Sequence, residues 1–289
     1  MSAEIARRSE AAENHLAPAQ ALYLDLMKRC LTRYVFGETH RALSPHRGTL
    51  LGRIYDPLRR MLASRRLELV RKCEFDPEAR ANGRDWAFEA ETMIGLKRLD
   101  NLQACCVDVI RRKVPGDFIE TGAWRGGATI FMRAVLAALE EPARRVWVAD
   151  SFEGLPRPDD QKYPVDQGDR HWGWSVLAVP IEEVKRNFEK YDLLDDRVRF
   201  LKGWFKDTLP AAPIERLAIL RLDGDMYEST LEALTSLYPK VSRGGYVIID
   251  DFGAVPGCRK AVEDYRAGNG ISAPMKEIDW SGVFWEKHD

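Results

Sequence analysis

The chain has 289 residues, 45% of them hydrophobic, and a formal net charge of −1 from 44 basic and 45 acidic side chains. That length holds one large α/β domain with appendages or two modest domains, and the composition excludes wholesale disorder. The near-neutral charge gives no general attraction to nucleic acid or to an anionic membrane.

Five cysteines, at 30, 73, 105, 106 and 258, form neither a C-x-x-C pair nor a zinc spacing, which predicts a reduced, cytoplasmic setting. The N-terminus lacks an apolar signal core, and no apolar run approaches the ~20 residues of a membrane helix. Residues 1 to about 18 are polar and read as a frayed terminus. From Ala19 to Tyr34, Leu22, Tyr23, Leu26, Met27 and Leu31 recur at helical intervals, which predicts an amphipathic helix. The interval from Val35 to Gly48, punctuated by Gly37, Pro45 and Gly48, reads as loop. A second helical pattern follows through Leu51, Ile54, Leu58, Met61 and Leu62, with arginines on its other face that read as a solvated surface. Residues 19–95 thus form a helical N-terminal extension. At its end Thr92 is placed to cap a helix through Leu99, Leu102, Cys106 and Ile110, in which Cys105 and Cys106 behave as small buried apolar residues.

From 96 to 289 strands alternate with helices. The first core strand, Gly116 to Glu120, runs into Thr121-Gly122-Ala123-Trp124-Arg125-Gly126-Gly127 and then an apolar helix over 128–139. Strand, glycine turn and helix is the layout in which bare backbone meets a nucleotide-like cofactor at a helix N-terminus. Trp124 departs from G-x-G-x-x-G by standing at the middle glycine position. A second strand, Arg145 to Ala149, ends in Asp150, placed to accept from both ribose hydroxyls of an adenosine. Together the two features predict an adenosine-containing cofactor. The segment Ser151 to Pro180, rich in Pro, Asp and Trp, has the length of a lid, and His171, Trp172 and Trp174 are its notable residues. A helix over Ile181 to Tyr191 and a strand over Val198 to Leu201 come next.

The stretch from Leu217 to Phe252 organises the rest. Two apolar runs, each a buried strand, end in acidic pairs: Asp223 with Asp225, and Asp250 with Asp251. Between them Leu231, Leu234, Leu237 and Tyr238 keep helical spacing. Strand, helix, strand in one sheet makes the two strands parallel, so four carboxylates converge on one edge, where open α/β sheets bind ligands. Four such groups repel unless a cation joins them, and hard oxygen donors suit Mg²⁺ or a similar divalent ion. A helix from Cys258 and an antiparallel edge hairpin over Lys276 to Glu286 close the chain.

The motifs Ile-Glu-Thr-Gly-Ala-Trp-Arg-Gly-Gly, Asp-Ser-Phe-Glu-Gly-Leu-Pro, Lys-Gly-Trp-Phe-Lys-Asp-Thr-Leu-Pro, Arg-Leu-Asp-Gly-Asp-Met-Tyr-Glu-Ser-Thr and Ile-Ile-Asp-Asp-Phe-Gly resemble, in order, those of the macrocin-type O-methyltransferases. The resemblance spans Leu22 to the C-terminus. It implies the class I methyltransferase fold, a Rossmann-like α/β sheet with helices on both faces. It also implies S-adenosylmethionine as methyl donor, Mg²⁺, and a hydroxyl acceptor on a glycosylated natural product such as a vicinal diol. The metal ligands it implies are Asp223, Asp250 and Asp251. Asp225 is the implied proton acceptor, with the two roles exchangeable between Asp223 and Asp225. The cofactor set is Thr92, Met93, Ile94, Gly95, Glu120, Thr121, Gly122, Arg125, Gly126, Asp150, Ser151 and Phe152, and His171 closes over the acceptor. A homo-oligomer is expected, because the N-terminal helices can bury an interface; the stretch from about Gly37 to Arg84 has no assigned role. Two other readings share part of the pattern. A nicotinamide-dependent oxidoreductase also uses a glycine turn and a ribose-binding acid, but leaves the acidic pairs unexplained, and a non-catalytic member binds cofactor alone.

Overall fold

The computed structural model describes residues 16–37, 40–43, 50–72, 74–85 and 89–288. Most of the segment read as a frayed terminus lies outside them. The elements run α1 (Pro18–Leu31), β1 (His40–Ala42), α2 (Leu50–Ala63), β2 (Val70–Lys72), α3 (Pro77–Ala81), α4 (Leu96–Arg111), β3 (Asp117–Thr121), α5 (Gly127–Ala138), β4 (Val146–Asp150), α6 (Ile181–Lys190), β5 (Val198–Lys202), α7 (Phe205–Thr208), β6 (Leu217–Leu222), α8 (Tyr227–Leu237), β7 (Val241–Ile249), α9 (Pro256–Gly268), β8 (Lys276–Glu277) and β9 (Val283–Glu286).

One seven-stranded sheet has the order β5-β4-β3-β6-β7-β9-β8. Strands β3 to β7 are parallel to their neighbours, while β9 runs antiparallel to β7 and β8. Successive strand residues point to opposite faces, and here both faces are covered. Phe118, Val146, Val148, Ile219 and Ile248 face a core shared with Leu24, Leu99, Phe131 and Phe188 of α1, α4, α5 and α6. Ile119, Trp147, Leu220, Val247 and Ile249 face a second core with Leu234 and Val262 of α8 and α9. Each such fully buried side chain contributes roughly 1.5–3 kcal/mol. The near-continuous apolar composition of β6 and of Tyr246 to Ile249 in β7 follows from this two-sided burial. From β3 the chain steps outward to β4 and β5, then returns to the other side of β3 with β6. The crevice at this reversal is where doubly wound sheets bind ligands.

Three local expectations change. Part of the interval read as loop forms β1, which pairs antiparallel with β2 through Arg41 and Arg71; a three-residue strand has too few residues to show alternation. Leu22 and Leu26 are 71% and 52% exposed, whereas Leu24 is buried. The docked face of α1 carries Leu24, Met27 and Leu31, and is fixed by Lys28 to Asp100 at 2.5 Å and by Gln20 Nε2 donating to the Ala138 carbonyl at 2.6 Å. Helix α1 is therefore part of the main core rather than an appendage. Finally, Gly95 and not Thr92 caps α4, because Thr92 Oγ1 accepts from the Ile94 amide at 3.3 Å. Among the described residues no helix is long and apolar enough to cross a membrane.

Candidate active site

The carboxyl ends of β3, β4, β6 and β7 open onto one cavity of about 400 Å³, lined by Glu120, Asp150, Asp223, Asp225, Asp250 and Asp251. The parallel register makes this convergence obligatory. Thr121 pairs with Leu222 and Leu222 with Ile249, so the residues after each strand meet at one level. Carboxylate oxygens of Asp223, Asp250 and Asp251 lie within 4.8 Å of one another. Asp225, with φ of 58°, turns the chain just before α8, and its amide donates to Asp251 Oδ2 at 3.2 Å.

Charge at this edge is partly balanced in a way the acidic pairs alone do not suggest. Arg221, inside β6 and 1% exposed, donates to Glu120, to Asp223 and to Asp250. Arg98 of α4 donates to Asp250 and to Asp279 Oδ2 at 3.0 Å. Two buried guanidiniums thus hold both oxygens of Asp250. Burial opposes the charge on each arginine, but the facing carboxylates outweigh it and keep both firmly protonated. The acids are pushed the other way. Burial raises Asp223 to about 6, with Asp250 adding to the effect and Arg221 opposing it. Burial and then Asp223 raise Asp225 to about 7, while a charged His171 would favour its ionised form. Burial also lifts Asp251, and lifts Glu120 to about 8 against the pull of Arg221.

The donors fit a hard divalent cation. They are carboxylates only, and they are held too close together to ionise fully without more positive charge. The cavity also fits an adenosine-bearing cofactor. Glu120 Oε2 is buried without a hydrogen-bond partner beside the Gly122 turn, an acceptor of the kind a ligand donor satisfies. Gly122 has φ of 85°, and a Cβ there would stand 1.8 Å from the Asp223 carbonyl oxygen, so the turn and the β6 edge touch backbone to backbone.

The expected residues separate into two groups. Thr92, Met93, Ile94, Glu120, Gly122, Asp150, Ser151, His171, Asp223, Asp225, Asp250 and Asp251 line the cavity. Gly95, Thr121, Arg125, Gly126 and Phe152 do not, and shape its walls instead. Gly95 lets α4 begin against the Ala81 and Gly83 backbone, and Thr121 lies buried at the end of β3. Arg125 donates to the Ala90 carbonyl at 3.1 Å and stacks on Trp124. Gly126 takes φ of 88° to cap α5, and Phe152 packs against Phe200. Asp150 also differs from expectation. Its Oδ2 accepts from the amides of Ala123 at 2.8 Å and Trp124 at 3.2 Å, and its Oδ1 from that of Phe152 at 2.7 Å. Two of these bonds tie the glycine turn to β4, and little acceptor capacity is left over. The sequence does not single out Arg98, Arg221 or Ser281, whose Oγ donates to the Asp250 carbonyl at 2.6 Å. Arg221 had a signal, a charge inside an otherwise apolar strand; Arg98 and Ser281 had none, since only folding brings α4 and the β8–β9 hairpin to β7.

A profile of the macrocin-O-methyltransferase (TylF) family matches residues 20–287. A Streptomyces olivaceus protein named 8-demethyl-8-(2,3-dimethoxy-alpha-L-rhamnosyl)-tetracenomycin-C 4'-O-methyltransferase is 53% identical over 268 residues, which cover 92% of this chain and 93% of that one. The demethyldecarbamoylnovobiocin O-methyltransferase of Streptomyces niveus is 50% identical over 272 residues, covering 92% and 94%. Among solved structures, the O-methyltransferase NovP matches with a TM-score of 0.80 at 48% identity, over 93% of this chain and 100% of that one. The calicheamicin methyltransferase CalS11, at 18% identity and a TM-score of 0.56, covers 95% of each chain and shares the fold. These matches favour neither a nicotinamide-dependent oxidoreductase nor a cofactor-binding relic. The chain belongs to the macrocin-O-methyltransferase family and is an S-adenosylmethionine-dependent O-methyltransferase of the class I fold.

Proposed function

We propose that the enzyme methylates a hydroxyl of a sugar or vicinal diol on a glycosylated natural product, with Mg²⁺ held by Asp223, Asp250 and Asp251. The observation that carries this reading is the approach of those three carboxylates to within 4.8 Å of one another on the wall of the cofactor cavity. The relatives' names supply the substrate class: a rhamnosyl tetracenomycin, a demethyldecarbamoylnovobiocin and mycinamicin III.

S-Adenosylmethionine brings an already activated methyl group, and a divalent ion in the acidic site would lower the pKa of an acceptor hydroxyl by stabilising its anion. The protein's task is then alignment and proton handling. The backbone of the Gly122 turn and Glu120 Oε2 bind the donor, and Asp150 and Ser151 border its ribose. Thr92, Met93 and Ile94 cover its other side. Asp225 takes the hydroxyl proton as general base. Its pKa, raised chiefly by burial, suits that role, because a carboxyl lifted above the usual range holds an abstracted proton better. His171 and the neighbouring Trp174 close the acceptor end and exclude water. The expected homo-oligomer is part of the same reading; exposed Leu22, Leu26, Val35 and Phe36 favour a second copy, and light scattering in solution tests it.

The direct test is thermal melting with S-adenosylhomocysteine, with and without Mg²⁺, for wild type and Asp223→Asn. A ligand specific for the native state at a hundredfold excess over its Kd adds ~2.7 kcal/mol. A nucleoside shift in both proteins, with a Mg²⁺ increment in wild type alone, supports the reading. A Mg²⁺ increment that survives in Asp223→Asn would remove that ligand assignment.

A further inference from the structure

The segment 151–180 is docked rather than draped over the cavity, and its docking is specific. Asp166, 4% exposed, accepts from the Tyr227 amide with Oδ1 at 2.8 Å and from the Glu228 amide with Oδ2 at 3.1 Å. It thereby caps helix α8, whose own Met226 supplies no side-chain cap. Gly257 of α9 lies against the same carboxylate, leaving no room for a Cβ. At the other end of the segment, Trp124 Nε1 of the cofactor turn donates to the Val176 carbonyl at 2.8 Å. The segment is therefore pinned both to the helix that follows Asp225 and to the glycine turn.

Three residues after Asp166, the Asp169 amide donates to the Asp166 carbonyl at 3.1 Å. Asp169 in turn clamps His171 twice. Its Oδ1 accepts from the His171 amide at 2.7 Å, and its Oδ2 meets His171 Nδ1 at 2.8 Å. The ring is also fixed edge-on by Trp174, with centroids 4.5 Å apart. With Nδ1 committed to a carboxylate, Nε2 is the nitrogen left for the cavity that His171 lines.

We propose that Asp169 is a positioning residue: it holds His171 as the Nδ1–H tautomer, so that Nε2 presents a lone pair to a hydroxyl of the acceptor sugar. The physical reason is the one that governs carboxylate–histidine pairs in general. An anionic acceptor at one ring nitrogen draws the proton there and leaves the other nitrogen as the acceptor. A hydroxyl-bearing ligand is selected over an ether or deoxy analogue, because only a hydroxyl has a proton to donate to Nε2. Asp225 remains the base; His171 fixes which hydroxyl faces it. This inference rests on the sugar-acceptor reading above and extends it to a residue, Asp169, outside the acidic metal site.

The test is side-chain ¹⁵N NMR on the full-length protein with S-adenosylhomocysteine and Mg²⁺ present, the His171 signals being assigned by their loss in His171→Gln. Wild type is expected to show the Nδ1–H tautomer, and addition of methyl α-L-rhamnopyranoside to move the Nε2 resonance. In Asp169→Asn the side-chain amide can donate to Nδ1, so the ring should switch to Nε2–H and rhamnoside binding should weaken at least about tenfold. An Nε2–H tautomer in wild type, an unchanged tautomer in Asp169→Asn, or an Nε2 resonance unmoved by the rhamnoside would each overturn the proposal. Retained S-adenosylhomocysteine affinity in both variants shows that the cofactor half of the cavity is intact. Loss of that affinity in wild type would instead strike at the functional reading itself.

Discussion

Arg221 Nη1 donates to Asp223 Oδ2 at 2.8 Å, from a strand whose other residues are Leu, Ala and Ile. The same guanidinium holds Glu120 and Asp250, so one buried cation organises the acids at three strand ends. Removing it leaves those carboxylates buried without their partner. Arg221→Met is expected to destabilise the fold by ~3–5 kcal/mol, measured by urea denaturation. Arg221→Met with Glu120→Gln should recover part of that loss, because one of the buried acids left without its partner becomes a neutral amide. A neutral Arg221→Met would show that the network carries no such penalty.

The raised acid pKa values set a pH dependence with a definite sign. Asp223 at about 6, Asp225 at about 7 and Glu120 at about 8 all lie above the ~4 of unfolded carboxyls. The folded state therefore binds more protons than the unfolded state in this window. Their stabilising contribution is fully present below about pH 4 and is lost as pH rises through these values. In EDTA the Tm should fall between about pH 5 and about pH 8.5, and Mg²⁺ should flatten the fall by compensating the ionised site. Parallel curves with and without Mg²⁺ would contradict a metal at these carboxylates.

Gly122 has both a left-handed backbone, φ 85°, and a Cβ position 1.8 Å from the Asp223 carbonyl oxygen. Gly168 has nearly the same φ, 86°, with nothing within 4 Å. Gly168→Ala should therefore carry only the backbone cost of roughly 1–2 kcal/mol. Gly122→Ala must also push β6 away from the turn, and should abolish S-adenosylhomocysteine binding or folding. Calorimetric titration of the pair separates contact from conformation; equal behaviour would show that the approach is not tight.

Asp166→Ala removes the cap of α8 and should cost ~1 kcal/mol of stability. Its sharper signature is local. The Tyr227 and Glu228 amides should exchange with solvent faster, and cleavage within 151–180 by a protease should accelerate while the central strands stay protected. Unchanged exchange at those two amides would refute the pinning of the segment.

Much of this was legible in the chain before folding. Buried parallel strands announce themselves as apolar runs, as Leu217 to Leu222 and Tyr246 to Ile249 do, and parallel pairing alone brings Asp223 and Asp250 to one edge. The glycine turn was legible because few other residues accept the φ that Gly122 and Gly126 adopt. Less visible was which of two plausible faces a helix buries. Leu22 and Leu26 fit an apolar stripe as well as Leu24 does, and the docking of α1 on α4 and α5 decided between them.

The amino-acid sequence by itself determined the α/β class, the acidic edge and the family, because each is written in residues close together along the chain or in a period that local geometry repeats. Tertiary structure alone decided that Arg98 and Arg221 offset part of the charge at that edge, that Asp150 ties a turn as well as bordering the cavity, and that Asp166 locks the long segment beside it. Those contacts join residues far apart in the chain, for instance Arg98 with Asp250 and Asp166 with Tyr227. No local pattern encodes such a pairing. It exists because burying a charge or a helix-end amide is costly until another part of the chain supplies its partner.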